Sequence, residues 1–284
     1  MNNFEKNITF VIVSFKSSHI IEKCIQSISP NIKIIVVENS DNVVVKKHLE
    51  NKFSNVEVII AKQNLGYGKG NNFGISKVKT QYAFILNPDA VLEKNCLYEL
   101  SKAQINLKGD FTILAPNLLD NYGYFSNQKN NLQSEILEVD YVKGFAILIN
   151  LKKINFDKIF DEKFFLFLEE IDLCKRIKNS GGKIFVALKS KIQHIGRQAT
   201  EYNLNIELCR NWHWMWSLFY YNYKHFGVLA AYKTTIIKFF SSIFKLFIAF
   251  VFFNKKNFLI HYYRLNGLYN AFLKKPAWLR PDNI

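Results

Sequence analysis

The N-terminal third of the chain alternates two periodicities, and that alternation constrains its fold more than any other feature. Apolar, β-branched runs at 8–15, 32–37, 56–61 and 82–86 have the length and continuity of strands buried on both faces. Between the first two, Ile20, Ile21, Cys24, Ile25 and Ile28 recur at helical spacing, after a Ser18 placed to cap and before Pro30. A further helix is predicted over 69–78. Strands alternating with helices imply βαβ units, hence an α/β fold with a mostly parallel sheet covered by helices on both faces. Sheets of this kind bind ligands beyond the carboxyl ends of their strands. Glu38, Asn64 and Asn87-Pro88-Asp89 each follow a predicted strand end, so they should converge on one crevice.

Asp89 carries the first chemical clue. An ionised carboxylate at the exit of a buried strand needs a partner, and a divalent cation with its companion phosphate supplies one. The cluster Glu169-Glu170-Ile171-Asp172 follows the apolar run 164–168, so its acids should open onto a pocket, where burial makes a carboxylate a better proton acceptor. The segment from Asn64 to Asn72 is rich in glycine and opens a helix, but it is neither a Walker loop nor a dinucleotide fingerprint. Its N–H groups are placed to cradle a phosphate. Each feature also has a plainer reading: a turn at 87–89, a flexible turn at 64–72, a solvated acid run, a structural His194.

Further along, 117–138 is rich in Asn, Gln and Ser without periodicity and reads as a loop or flap. Residues 139–150 are strand-like with Gly144 inside, a place where a ligand or neighbouring backbone approaches closely. A helix is expected over 164–178, ended by Gly181-Gly182, then a strand at 183–188 leading to His194.

The C-terminal region changes character, which divides the chain into domains at 1–205 and 206–284. Eight of the fifteen residues in 212–226 are aromatic. From residue 205 onward eleven Lys and Arg face only Glu207 and Asp282, a net +9, leaving +6 of the chain's +15 for the rest. On a helical wheel of 229–253, Thr234, Thr235, Lys238, Ser241, Ser242 and Lys245 share one face opposite Ile, Leu and Phe. A Phe-rich face with lysines behind it suits a helix lying in the membrane interface, the Trp and Tyr cluster at headgroup depth and the charge drawn to anionic lipid. No uncharged apolar run reaches the roughly 20 residues of a spanning helix, and the N-terminus has no signal-peptide pattern. The four cysteines form no C-x-x-C pair, which points to reduced thiols in the cytosol and away from zinc.

Taken in order, Val13-Ser14, 36–40, Asn64-Leu65-Gly66-Tyr67-Gly68 with Asn71-Asn72, Asn87-Pro88-Asp89, Gly144, 164–173 and His194 resemble glycosyltransferase family 2, in particular its bacterial rhamnosyltransferase-like branch. The resemblance covers about 8–225. It implies a GT-A (Rossmann-like) fold, a nucleotide-diphosphate sugar donor, a divalent cation (Mn2+ or Mg2+) and inversion at the anomeric carbon. It places Ser14 and Glu38 against the nucleoside, and Asn64 with the glycine segment, Gly66 and Asn71 included, along the ribose and diphosphate. Asn87 and Gly144 also fall at the donor. Asp89 and His194 become metal ligands and Glu170 the catalytic base, with Glu169 and Asp172 as supporting acids. The family often has Asp where this chain has Glu38, Asp-x-Asp where it has Asn87-Pro88-Asp89, and Asp where it has Glu170. One anionic ligand fewer implies that the cation arrives with the nucleotide.

The implied reaction moves a sugar, rhamnose in that branch, to a hydroxyl of a lipid-linked or surface-polysaccharide acceptor (lipopolysaccharide or capsule), by a peripheral enzyme on the cytoplasmic face of a bacterial membrane. The alternative is a degenerate, membrane-associated protein that binds the nucleotide sugar without transferring it. Nucleotidyl transfer would put a glycine-rich loop with Arg and Lys after the first strand, where the chain reads Ser14-Phe15-Lys16-Ser17-Ser18. Nucleic-acid binding would place the basic residues on the α/β half, whereas they gather in the tail.

Overall fold

The computed structural model describes residues 2–119, 135–194 and 199–284. The chain divides into two compact units, one drawn from 1–161 and 170–201, the other from 162–169 and 202–284.

After a short helix α1 (Asn2–Lys6), the first unit builds its parallel half from β1 (Ile8–Ser14), β2 (Lys33–Glu38), β3 (Val56–Ile60) and β4 (Tyr82–Leu86), in the spatial order β3-β2-β1-β4. Helices α2 (Ile21–Gln26), α3 (Val43–Lys52) and α4 (Gly66–Ile75) make the crossovers. β1 and β2 run in register from Thr9↔Lys33 to Ser14↔Glu38, so Ser14 and Glu38 end side by side. The strand interiors are buried on both faces, as their unbroken apolar runs require. Ser18 does not cap α2: the N–H groups of Ile20 and Ile21 both donate to the Ser17 carbonyl at 3.0 Å.

The glycines at 66–74 lie within α4 and set how near it approaches the sheet. A Cβ on Gly74 would fall 2.4 Å from Val11 Cγ1 and 3.0 Å from Val37 Cγ2, and one on Gly70 2.9 Å from Val13 Cγ1. Gly66 starts the helix with φ +75°, a conformation that favours glycine.

Beyond β4 the sheet becomes mixed. β5 (Ala90–Leu92), helix α5 (Cys96–Asn106), β6 (Ile113–Leu118), β7 (Ile136–Glu138), β8 (Ala146–Asn150) and β9 (Ile184–His194) extend it as β4-β8-β6-β9-β5, with β7 on β9. β8 is antiparallel to both β4 and β6, while β6 and β9 run parallel. The α/β architecture expected from the sequence is present, with an antiparallel portion added. The expected flap at 117–138 is corrected: its ends are strand residues of β6 and β7, and 120–134 lie outside the described residues. Gly144 precedes β8 rather than interrupting it. The helix expected from 164 begins at Glu169 as α6 (Glu169–Asn179), because Phe167 and Leu168 hold positive φ (72° and 69°).

The second unit contains α7 (Leu204–Val251) and α8 (Lys255–Phe272). α7 is two arms joined at Gly227, whose φ of 84° and ψ of 175° break the helix. The Phe219 and Tyr232 ring centroids lie 5.3 Å apart, whereas a straight helix would separate them by about 20 Å. The arms therefore fold back on each other. Phe272 of α8 meets Phe219, Tyr232 and Phe239 at 5.1, 5.0 and 6.0 Å, completing a three-helix bundle. Gly267 permits the closest crossing, since a Cβ there would sit 2.4 Å from the Trp212 carbonyl oxygen.

Trp212 and Trp216 are core residues of this bundle, their indole N–H groups donating to Asn266 Oδ1 (2.8 Å) and the Lys275 carbonyl (2.9 Å). That corrects the expectation of a headgroup-level cluster for these two. The polar stripe of the outer arm also splits. Thr235 and Ser242 are buried with Ala231 and Ala249, while Thr234, Lys238, Ser241 and Lys245 are exposed. Large apolar side chains cover the remaining arc in the open, among them Ile237 (76% exposed), Phe244 (64%) and, at the turn into α8, Phe253 (93%). Within α7 there is an apolar stretch that by length and composition alone is sufficient to cross a membrane, lysines included.

Candidate active site

The strand ends that the sequence sends to one crevice lie side by side along the carboxyl edge of the parallel half. Ser14 closes β1, and its hydroxyl is buried without a hydrogen-bond partner among the described residues. Glu38 closes β2, 1% exposed, and its Oε1 accepts the Ser40 N–H at 2.7 Å. The Ser40 hydroxyl in turn accepts the Lys16 N–H, tying the loops after β1 and β2 together. Asn39, given no role by the sequence reading, is the hub of this edge. Its Oδ1 accepts the Leu65 N–H at 3.2 Å, and its Nδ2 donates to the Gly66 carbonyl at 3.2 Å and to Asn64 Oδ1 at 3.4 Å. Asn64 Oδ1 also accepts the Gly66 N–H at 3.0 Å, so its carboxamide is spent on fixing the start of α4.

The two asparagines of α4 separate in role. Asn72 clamps the segment at 160: Nδ2 donates to the Phe160 carbonyl (2.8 Å) and Oδ1 accepts its N–H (2.9 Å). Asn71 donates to the Tyr67 carbonyl and leaves a buried Oδ1 without a partner among the described residues. Gly66, Gly68 and Gly70 are buried in the helix.

Asp89 and His194 meet through strand pairing. β5 and the end of β9 are antiparallel with Ala90 opposite His194, which sets Asp89 Oδ1 3.4 Å from His194 Nε2. Asp89 is 2% exposed and its Oδ2 accepts the Ala199 N–H at 3.2 Å. His194 stacks on Phe145, ring centroids 4.2 Å apart. A buried carboxylate facing an imidazole is a donor pair suited to a divalent cation of Mn2+ or Mg2+ type. No third His, Cys, Asp or Glu joins them among the described residues, so these side chains fit a cation whose other ligands come from a diphosphate and water. Asn87 binds the same neighbourhood by its backbone, its N–H donating to the Phe145 carbonyl at 2.8 Å.

The dipeptide Gly144-Phe145 connects this pair to Glu170. A Cβ on Gly144 would stand 3.3 Å from Glu170 Cβ and 2.8 Å from the Tyr67 hydroxyl, which donates to the Gly144 carbonyl. Glu170 lies in the first turn of α6. Burial raises its carboxyl above the ordinary carboxylate range, opposed by the N–H groups of Glu170 and Ile171 and by the Lys143 charge. Asp172 accepts Arg176 Nε at 2.8 Å, while Arg176 also donates to the Ile159 carbonyl. Glu169 is buried and belongs to the second unit.

The structure thus sets Asp89 against His194 and Gly144 against Glu170, the two contacts joined by the dipeptide Gly144-Phe145, and gathers Ser14, Glu38, Asn39, Asn64 and Gly66 along the carboxyl edge of the parallel strands. The sequence names Tyr67 only as part of the motif at 64–68, with no role of its own, and passes over Lys143. Their only signals are position, Tyr67 between two glycines of the helix start and Lys143 beside Gly144.

Comparison with known proteins gives the family and the fold. The glycosyl transferase family 2 description matches residues 9–161, more than half of the chain. A curated relative, the low-salt glycan biosynthesis hexosyltransferase Agl10 of Haloferax volcanii, is 24% identical over 136 residues, 40% of this chain and 44% of the relative. The chain therefore spans less than half the length of that relative. A crystal structure of GalNAc-T7 with UDP, GalNAc and Mn2+ superposes with a TM-score of 0.55 at 15% identity, over 69% of this chain and 44% of the other, a likeness of fold. With the family description spanning the parallel half of the sheet and its ligand edge, the chain belongs to glycosyl transferase family 2.

Proposed function

We propose that the protein is an inverting glycosyltransferase that moves a sugar from a nucleotide-diphosphate donor to a hydroxyl of a lipid-linked saccharide. The observation that carries this reading is the contact path from the Asp89–His194 pair through Phe145 and Gly144 to Glu170. It supports reading Glu170 as the base that serves a donor whose diphosphate is held at Asp89 and His194.

In this reading Ser14 and Glu38 receive the nucleoside, with the Ser14 hydroxyl and Asn71 Oδ1 as the buried groups still open to a ligand. Asp89 and His194 hold the divalent cation, which when bound supplies positive charge against the diphosphate. Glu170, its proton affinity raised by burial, takes the proton from the acceptor hydroxyl as that oxygen attacks the anomeric carbon. The C1–O bond to the diphosphate breaks on the opposite face, and a single displacement inverts the centre. Gly144 leaves room beside Glu170, and Tyr67 fixes the Gly144 carbonyl.

Rhamnose is the donor sugar in the branch the chain resembles, and Agl10's name as a glycan biosynthesis hexosyltransferase supports a hexosyl substrate. The exposed apolar arc of the outer arm of α7 supports work at the cytoplasmic leaflet. A spanning placement is disfavoured because α8, packed along that arm, would carry His261, Arg264, Asn266 and Asn270 into hydrocarbon. The test is sugar transfer into the lipid fraction of bacterial membranes from a panel of nucleotide sugars. Wild type should transfer one of them and Glu170→Gln none. Binding without transfer by wild type would instead identify a degenerate binder.

A further inference from the structure

The helical unit holds a cationic cluster that sugar transfer does not use. Arg264 and His261 lie one turn apart on α8, and the ring pairs Phe239–Phe272 (6.0 Å) and Phe250–Phe258 (6.4 Å) align the outer arm of α7 antiparallel to α8 with Lys245 level with them. Arg264 is half-buried: its Nη2 lies 3.9 Å from the Met215 sulfur, and among the described residues its buried Nε has no hydrogen-bond partner. His261 Nδ1 is likewise buried with no partner among the described residues. No carboxylate pairs with any of the three among the described residues, and the nearby Glu207 is taken by Lys256 (3.0 Å) and Tyr202 (3.0 Å). Burial, then Arg264 and Lys245, push the His261 pKa down, which keeps the imidazole neutral and able to donate from one nitrogen.

A guanidinium drawn out of water without a counterion costs stability, and an anion that accepts its N–H groups offsets that cost. A planar fork, an imidazole and an ammonium on one site match the several acceptor oxygens of a phosphate. The setting favours a phosphate attached to hydrocarbon. Phe244 (64% exposed) and Ile248 (39%) flank Lys245 on the same arm, at the edge of the open apolar arc. We propose that Lys245, His261 and Arg264 bind the phosphate group of a membrane lipid whose chains lie along Phe244 and Ile248. The lipid part rests on the membrane reading above; the phosphate part does not.

Two assays on the full chain separate these parts. In the first, the unfolding midpoint is followed while sodium phosphate is added at constant ionic strength. Phosphate should raise the midpoint of wild type and leave that of Arg264→Gln unmoved. In the second, protein is floated with phosphatidylcholine vesicles with and without phosphatidic acid. Arg264→Gln should bind the phosphatidic acid vesicles about tenfold more weakly than wild type and the plain vesicles equally. Should Arg264→Gln fail to fold, Lys245→Gln, on the exposed side, replaces it. Variants matching wild type in both assays would overturn the site. Stabilisation by phosphate without any vesicle difference would assign the site to a soluble phosphate and overturn the lipid. Absence of binding to every vesicle would remove the membrane reading while leaving the phosphate result to stand or fall alone.

Discussion

Asp89 Oδ1 and His194 Nε2 lie 3.4 Å apart although 105 positions separate them, because β5 pairs with the last residues of β9 and sets Ala90 opposite His194. If this pair holds the cation that accompanies the donor, His194→Ala should weaken manganese-dependent donor binding by roughly ten- to a hundredfold. Binding measured without metal should change far less. Calorimetric titration of one donor in both conditions checks this. Equal losses with and without manganese would instead assign His194 a packing role against Phe145.

Glu170 should trade stability for activity. Its carboxyl is raised above its unfolded value by burial, so the folded state favours the protonated form. The group therefore weakens folding once the pH passes the unfolded value, and the cost grows up to the folded pKa. Glu170→Gln should raise the unfolding midpoint at neutral pH, with the gain vanishing towards acid, and it should abolish transfer while sparing donor binding. A lowered midpoint at neutral pH would contradict the burial argument.

Two glycines should fail differently when given a methyl group. Gly74→Ala drives a Cβ to 2.4 Å from Val11 and should cost about 1–3 kcal/mol in a denaturant titration. Gly144→Ala meets the Tyr67 hydroxyl at 2.8 Å and Glu170 Cβ at 3.3 Å, so it should lower kcat more than it lowers stability. A Gly144→Ala enzyme with unchanged kcat would remove the close approach from the site.

His213 should make the helical unit acid-sensitive. It is buried, its Nε2 2.8 Å from the Leu279 carbonyl, and burial lowers its pKa to about 3. The unfolded chain takes up the proton near its ordinary value of 6.5, so stability is full above that pH and falls as pH drops towards 3. The slope is about 1.4 kcal/mol per pH unit. His213→Leu should flatten this dependence, read as unfolding midpoints across the same range; an unchanged slope would place the acid sensitivity elsewhere.

The apolar arc should govern membrane association. Replacing exposed Phe240, Phe244 and Phe247 by Ser should move the protein from the membrane to the soluble fraction after cell lysis, with donor binding retained. Persistence in the membrane fraction would show that another surface holds it there.

The parallel half was legible because periodicity reports local backbone geometry: 82–86 coincides with β4, 8–15 and 56–61 each overrun their strand by one residue, and 32–37 is offset from β2 by one residue at both ends. The antiparallel additions β5 and β7 were not, because they are three residues long and owe their existence to partners distant in sequence, whereas β8 and the start of β9 fall inside the strand-like runs at 139–150 and 183–188. No local pattern announces that Ala90 will pair with His194. Nor could the wheel of 229–253 reveal that Thr235 and Ser242 would face a second helix, since a short polar side chain suits solvent and a close helix contact equally. The roles of Tyr67 and Lys143 stayed hidden for a related reason: Tyr67 bonds the Gly144 carbonyl and Lys143 acts on Glu170, each outside its own segment.

The central claim is that Asp89 belongs to a donor site completed by a divalent cation, and binding of a panel of nucleotide sugars with and without manganese tests it most directly. Wild type should bind one donor in a manganese-dependent way, and Asp89→Ala should lose that dependence. Donor binding that ignores both manganese and the Asp89 substitution would contradict the account.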